Sequence, residues 1–374
     1  MNYFKITCSA TIFLLFISSF AYATIDDKEF DKQIKKSFSV GNTPTLEVTN
    51  KFGAINIHQG KSGEISIVVD IKVDAKNQEA ADNILNEIQI DFSSSSNSVS
   101  AETEVGHINS SSGWFGWMKN ESISYTVDYD IYVPEATQLE LDNAHGDIDI
   151  KTDINQCEIE LIFGNLTAKN ISNNIDLELA HGDARLGNFA NGTVEISFSS
   201  FECGTINNLD IESQHSDVKI EKANRLISDS SFDGYMIQEI KKLENDGQHD
   251  NFNIGSIEEL IMEAEFSDLD VEMVHHKTNL DFEHGSIHLK KLGQQFTLGS
   301  ISSEFSPITI SSNVNLDIII EGTFLDMKLP KNFSSSKMIK EDFDTYIEGK
   351  LNVGSISTGK LNLEIDNSNL KIKE

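Results

Sequence analysis

Cationic side chains are scarce in this chain: 29 Lys and Arg stand against 60 Asp and Glu, a formal net charge of −31 over 374 residues. A surface that acidic repels phosphate backbones and anionic lipid headgroups, so nucleic acid and acidic membranes are excluded as partners. It suits a solvated exterior, or one that gathers counterions such as calcium. Proline is nearly absent, with four residues, and helix formers do not dominate. Beyond the first twenty residues no stretch is apolar for long enough to span a bilayer, so no transmembrane anchor is expected.

Cysteine is equally sparse. Cys8 precedes the apolar run Ile12 to Ile17, so it is not a lipid-attachment residue. That run follows Lys5 and leads to Ala21-Tyr22-Ala23, the three parts of a secretion signal. Residues 1–23 are therefore read as a signal peptide cleaved near Ala23, and the mature protein as exported, to the periplasm or to the cell surface. Only Cys157 and Cys203 follow the signal. They fall two repeat units apart, about 9.6 Å if units stack like strands. A disulfide needs Cα atoms within about 7 Å, so two free, buried thiols are expected.

What the sequence has in quantity is short apolar alternation punctuated by Gly, Ser and Asn, an all-β composition. The organising stretch is Leu139 to Ile150, LELDNAHGDIDI. Leu139 and Leu141 alternate with charge, Asn143 to Asp147 is turn-prone, and Ile148 and Ile150 resume with switched parity. The unit is strand, corner, strand. It recurs with an aromatic or imidazole ring at the corner and apolar residues three and five positions later. The corner residues are Phe52, His145, Phe163, His181, Phe201, His215, Phe232, His249, Phe266, His284 and Phe305. Phe324 continues the series, which fades at Glu348 and Asn367. His and Phe alternate, and the four His-to-His spacings from His145 to His284 are 36, 34, 34 and 35. A repeat of 17 to 21 residues is the length of one coil of a solenoid. About a dozen coils at 4.8 Å would form a rod roughly 60 Å long.

Residues 46–57 match the unit position for position, so the repeat begins early and is then interrupted. The charged leader 24–36 predicts a short helix or disorder. Within 62–135, Glu64 to Val73 predicts a strand, and residues 77–88 an amphipathic helix with Ala81, Ile84, Leu85 and Ile88 on one face. Ile88 to Phe92, Val99 to Val105 and Ile123 to Val133 predict further strands. The division expected is residues 24–136 as an N-terminal strand with an α+β cap, and 137–374 as the β-solenoid, the cap covering an exposed sheet edge. Both tryptophans lie in the interruption. Trp114, Phe115 and Trp117 follow a serine-rich lead-in and form the candidate ligand-binding patch.

Catalytic and metal chemistry find little support. Neighbouring corners pair His with Phe, so successive histidines stand about 9.6 Å apart, whereas zinc ligands lie about 2.0–2.1 Å from their ion. The corner series reads as a stacked structural ladder. His275, His276, His284 and His288 form a local cluster without a ligand spacing. The glycine-rich nonapeptide of calcium-binding repeats has no counterpart here. Carboxylates such as Asp147, Asp149 and Asp183 recur on many coils rather than forming one acid/base pair, and no nucleophile elbow or phosphate loop occurs. No metal, cofactor or catalytic residue is expected.

Three segments carry a resemblance. SFSVGNTPTLEVTNKFGAINIHQ at 37–59, IVVDIKVDAKNQEAADNILNEIQIDFSSSSNSVSAETEVG at 67–106 and SYTVDYDIYVPEATQLELDNAHGDIDI at 124–150 resemble successive blocks of the bacterial putative-adhesin family of β-strand-repeat proteins, a domain of unknown function. The resemblance covers most of the mature chain. It implies an exported β-solenoid and an adhesive role, and it supplies no catalytic residues. The sequence departs from the family by alternating His with Phe where Tyr is common. The reading is an exported, non-catalytic binding or scaffolding protein of the cell envelope or surface, its partner a protein or glycan. A periplasmic structural or signalling component is the rival, and a carbohydrate-active enzyme on a β-solenoid comes third.

Overall fold

The computed structural model of the chain describes residues 28–106, 124–352 and 359–374. It is 75% strand and 3% helix, a β-solenoid of about ten turns with coils about 18 residues apart. The turn count falls short of a dozen because both ends of the chain build something other than a simple coil.

One coil shows why this sequence closes on itself. Along Ser200–Gln214 the buried residues are Phe201, Cys203, Ile206, Leu209, Ile211 and Ser213. Alternation holds within each run. It slips where two successive residues stay outside, at Gly204–Thr205 and again at Asn207–Asn208. A strand side chain changes face at every residue, so each slip bends the chain while keeping the apolar side inward. The next coil lies parallel and in register, with Phe201 on Val218, Cys203 on Ile220, Ile206 on Ala223 and Leu209 on Leu226. Each fully buried Leu, Ile or Val adds about 1.5–3 kcal/mol, and every coil repeats the contribution. Cys157 and Cys203 sit free in this core, where burial pushes both thiols up to about 12.

The N-terminal end is capped by the interruption. Strands β1 (Lys28–Ser39), β2 (Thr45–Phe52), β3 (Ile55–Gln59), β4 (Glu64–Ala75), helix α1 (Gln78–Glu87), β5 (Ile88–Ser94), β6 (Ser98–Val105) and β7 (Ser124–Val133) follow in order. β2 and β3 form the first coil. They stack on Gln138–His145 and Ile148–Ile150 with Leu46 opposite Leu139 and Ile57 opposite Ile150. On their other side β6 and β7 continue the sheets in parallel, β5 and β4 follow antiparallel, and β1 forms an outer edge. Asn77 caps α1 by accepting the Ala80 N–H, and Ala81, Ile84 and Leu85 face inward.

The leader is neither a helix nor disordered where it is described. β1 pairs with β4 along all 12 residues. Its apolar residues Phe30, Ile34 and Phe38 recur every four, a period that fits one face of a helix and one face of a strand equally. The free edge of apolar β4 decides between them.

The C-terminal end is threaded out of order. Gly359–Asp366 lies in parallel between Leu298–Glu304 and Leu316–Thr323, and Asn369–Lys373 between Ile308–Ser312 and Asp326–Lys328. The last coil in sequence therefore fills a slot between two earlier ones. The end of the stack is a hairpin, with Asp344–Leu351 antiparallel on Leu316–Thr323 and Phe333–Glu341 beyond it. Glu348 lies inside this hairpin and is not a corner, whereas Asn367 is one.

Candidate functional site

The corner rings form a continuous column on the outside of the coils. From Phe52 to Phe305 neighbouring centroids are 4.5–5.3 Å apart with ring planes within 20° of parallel. The member between His181 and His215 is Phe198, not Phe201. Phe201 is fully buried and Phe198 is 55% exposed. Spacing holds the signal that separates them: Phe198 stands 17 residues from both His181 and His215, whereas Phe201 would make one long and one short coil. The +3 and +5 positions of that coil are then Phe201 and Cys203, both buried. At the far end Asn367 interrupts the rings. The Phe305 N–H reaches the Asp366 carbonyl and the Asn367 N–H reaches Thr323, and beyond them Phe324 stacks on Phe343 at 4.3 Å.

The column is held by strained backbone. In the first two coils the glycine after the ring carries the turn, Gly53 at φ 124° and Gly146 at φ 141°. From Phe163 onward the ring residue itself adopts φ of 49–61°. Such a conformation costs a side-chain-bearing residue about 1–2 kcal/mol. A stacked ring pair returns about 0.5–1.5 kcal/mol, so the two roughly cancel. Asn367, where no ring stacks, is a residue type that tolerates this backbone.

From Phe198 to Phe266 the residue after each ring points inward and caps the coil before it. Ser199 Oγ accepts the Gly182 N–H, Ser216 Oγ the Ser199 N–H, Asp233 Oδ1 the Ser216 N–H at 2.6 Å, Asp250 Oδ1 the Asp233 N–H at 2.8 Å, and Ser267 Oγ the Asp250 N–H. Asp233 and Asp250 are each 4% exposed. Burial raises both carboxyls, Asp250 to about 6.

Beside the column lies an unbroken acidic row that sequence reasoning missed. Asp142, Glu160, Glu178, Glu195, Glu212, Asp229, Asp246, Glu263 and Asp281 are nine successive partners across the parallel ladder, all exposed. Glu265, Glu283, Glu304 and Asp366 form a second row next to the rings. A shallow groove runs over Asp229, Asp246, Glu263 and Asp281. Among the described residues none of the nine has a cationic partner; Lys219, Lys222, Arg225, Lys242, Lys277 and Lys290 pair with carboxylates outside the row. Neighbours sit about 4.8 Å apart, where like charges repel by about 0.9 kcal/mol in a water-like dielectric. The signal was available in the spacing: an acidic residue stands three positions before each ring from His145 to His284.

The other predicted sites divide. Trp114, Phe115 and Trp117 lie outside the described residues. The four clustered histidines do not converge. His275 meets Ser256 Oγ at 3.0 Å, His276 the Gln295 carbonyl at 3.3 Å, His284 Glu283 at 3.4 Å and His288 Asp270 at 3.9 Å.

No family model matches the chain, and no curated protein matches it. Solved structures do show likeness. A putative cell adhesion protein from Clostridium sporogenes is 9% identical, covering 92% of this chain and 99% of its own, with a TM-score of 0.20. A putative lipid binding protein from Parabacteroides distasonis is 10% identical over 74% of this chain and 95% of its own, with a TM-score of 0.31. A putative adhesin from Bacteroides fragilis is 15% identical over 73% of this chain and 97% of its own, with a TM-score of 0.26. Superposition at that level carries no argument about role.

Proposed function

We propose that this chain is an exported, non-catalytic binding or scaffolding protein of the cell envelope or surface, and that its side carrying the ring column and acidic rows is a binding face. The observation that supports this is the nine-carboxylate row. Like charges held in register repel, and no cation of the described residues offsets them. A fold that keeps this arrangement over nine coils gains from a partner outside it. A repeating face suits an extended partner met at many points, since contacts of modest strength multiply when linked. Trp114, Phe115 and Trp117 are proposed as a second contact patch.

Location is tested by protease shaving of intact cells producing the chain with an internal epitope tag in the 110–112 serine run. Loss of the tag while periplasmic markers survive supports a surface role. Survival of the tag until the envelope is opened removes adhesion to external targets, and leaves an envelope-internal scaffold.

A further inference from the structure

Two shallow hollows lie end to end along the acidic row. The first, about 300 Å³, is lined by Glu160, Glu178, Glu195 and Glu212, with Ile162, Ala180 and Ser197 beside them. The second, about 280 Å³, is lined by Asp229, Asp246, Glu263 and Asp281, with Gln248, Glu265 and Glu283 beside them. Glu212 and Asp229 are register partners on adjacent coils, so the hollows join into one trough. Eight row members spaced about 4.8 Å apart make it about 34 Å long.

The floor follows from the coil pattern. The residue just before each ring stands two positions after the row carboxylate, so both point to the same face of the strand. From Ala144 to Ser231 that residue is Ala, Ile, Ala, Ser, Gln and Ser in turn. Four of these side chains are too short to fill the trough. The ring column borders the floor one residue further along each coil, with Phe163 and Phe198 half exposed.

The two halves differ in chemistry. In the first, carboxylates stand beside an uncharged floor edged by phenylalanine rings. In the second, Glu265 and Glu283 place carboxylates on both sides. Among the described residues no lysine or arginine pairs with the carboxylates of either half; Glu283 meets the His284 ring at 3.4 Å. An extended peptide sends successive side chains to opposite sides. One strand can therefore set basic residues against the row and apolar residues toward the rings.

We infer that the trough docks an extended basic segment of another protein. Over Glu160 to Glu212 that segment alternates Lys or Arg with apolar residues, and over Asp229 to Glu283 it is basic on both sides. The inference rests on the row being a binding face and names the class of its partner. Charge complementarity selects such a partner and fixes its register, and contacts repeated from coil to coil add along one chain.

Fluorescence anisotropy with the full mature chain at pH 7.5 tests this. The probe is a labelled peptide of about ten residues, the length that spans the trough when extended, one half alternating Lys with Val and the other half all Lys. Saturable binding is expected, weakening as salt is added, and none by the same peptide with Glu in place of Lys. Ala180→Tyr with Ser197→Tyr fills the first hollow without changing charge, and is expected to weaken binding at least about tenfold. Ala180→Gln with Ser197→Gln serves if the tyrosines disturb the fold. Undiminished binding by the filled variants would reduce the attraction to unshaped charge and overturn the docking trough. A glucosamine oligomer of matching length that binds as tightly would overturn a peptide partner. Absence of peptide binding by a chain that isolated envelopes still retain through the row overturns the basic segment and keeps the binding face. Absence of both removes the face as well.

Discussion

At the scale of single residues, Phe198 and Phe201 separate two roles that look alike in the sequence. Phe201 is a core residue, and Phe201→Ala is expected to cost about 3–5 kcal/mol in denaturant unfolding. Phe198 is half exposed on strained backbone. Phe198→Ala is expected to cost no more than about 1–2 kcal/mol, and Phe198→Asn less again, because Asn tolerates the positive φ while Ala keeps the strain. A cost for Phe198→Ala equal to or above that of Phe201→Ala would mean that stacking outweighs strain. The core alternation and most of the column were legible, because apolar period and ring spacing are local signals. The error at Phe201 arose where two phenylalanines fall three residues apart, and only the regular 17-residue coil length distinguishes them. That the rings face outward was not legible, since a ring at a turn can point either way until the backbone angle is known.

At the scale of elements, the C-terminal coil is a strand inserted between two others. Leu361, Leu363, Ile365, Leu370 and Ile372 are buried at 0–2% exposure, and both of its strands pair on two sides. Leu363→Ala is therefore expected to cost about 2–5 kcal/mol, as much as a mid-stack residue and unlike a fraying terminus. Hydrogen exchange should find residues 360–366 protected as strongly as 298–304, with Phe333–Glu341, the exposed outer strand, exchanging first. Fast exchange at 360–366 would refute the insertion. Sequence reading expected a coil there but could not order it, because the apolar pattern states which residues face inward and not which coil lies beneath. The first coil is the counter-example: residues 46–57 matched 139–150 in sequence, and the two segments are neighbours in register. The leader went the other way, its four-residue period compatible with both structures until an edge was available.

For the whole molecule, charge sets the response to conditions. Asp250 and Asp233 have carboxyls raised by burial, and Glu140 and Asp142 are raised by desolvation, Glu140 also by the charges of Glu158 and Glu47. An acid whose folded value lies above its unfolded value of about 4 binds protons more tightly when folded. Stability from these groups should therefore rise as pH falls from 7.5 through 6 toward 4.5, the Asp250 share being gained around pH 6. Low salt should destabilise the rod, since screening weakens repulsion along the row. A Tm that falls between pH 7.5 and pH 5 in low salt would contradict both statements.

The measurement that bears most directly on function is co-sedimentation of the purified mature chain with isolated envelopes of the cells that produce it, at about 0.15 M salt. Wild type is compared with the variant Asp229→Asn, Asp246→Asn, Glu263→Gln, Asp281→Asn, which neutralises the centre of the acidic row without touching the core. If the row is a binding face, wild type is retained saturably and the variant at least about tenfold less, although the variant unfolds at the same or higher temperature. Equal retention of the two, or no saturable retention of wild type, would contradict a binding role for this face.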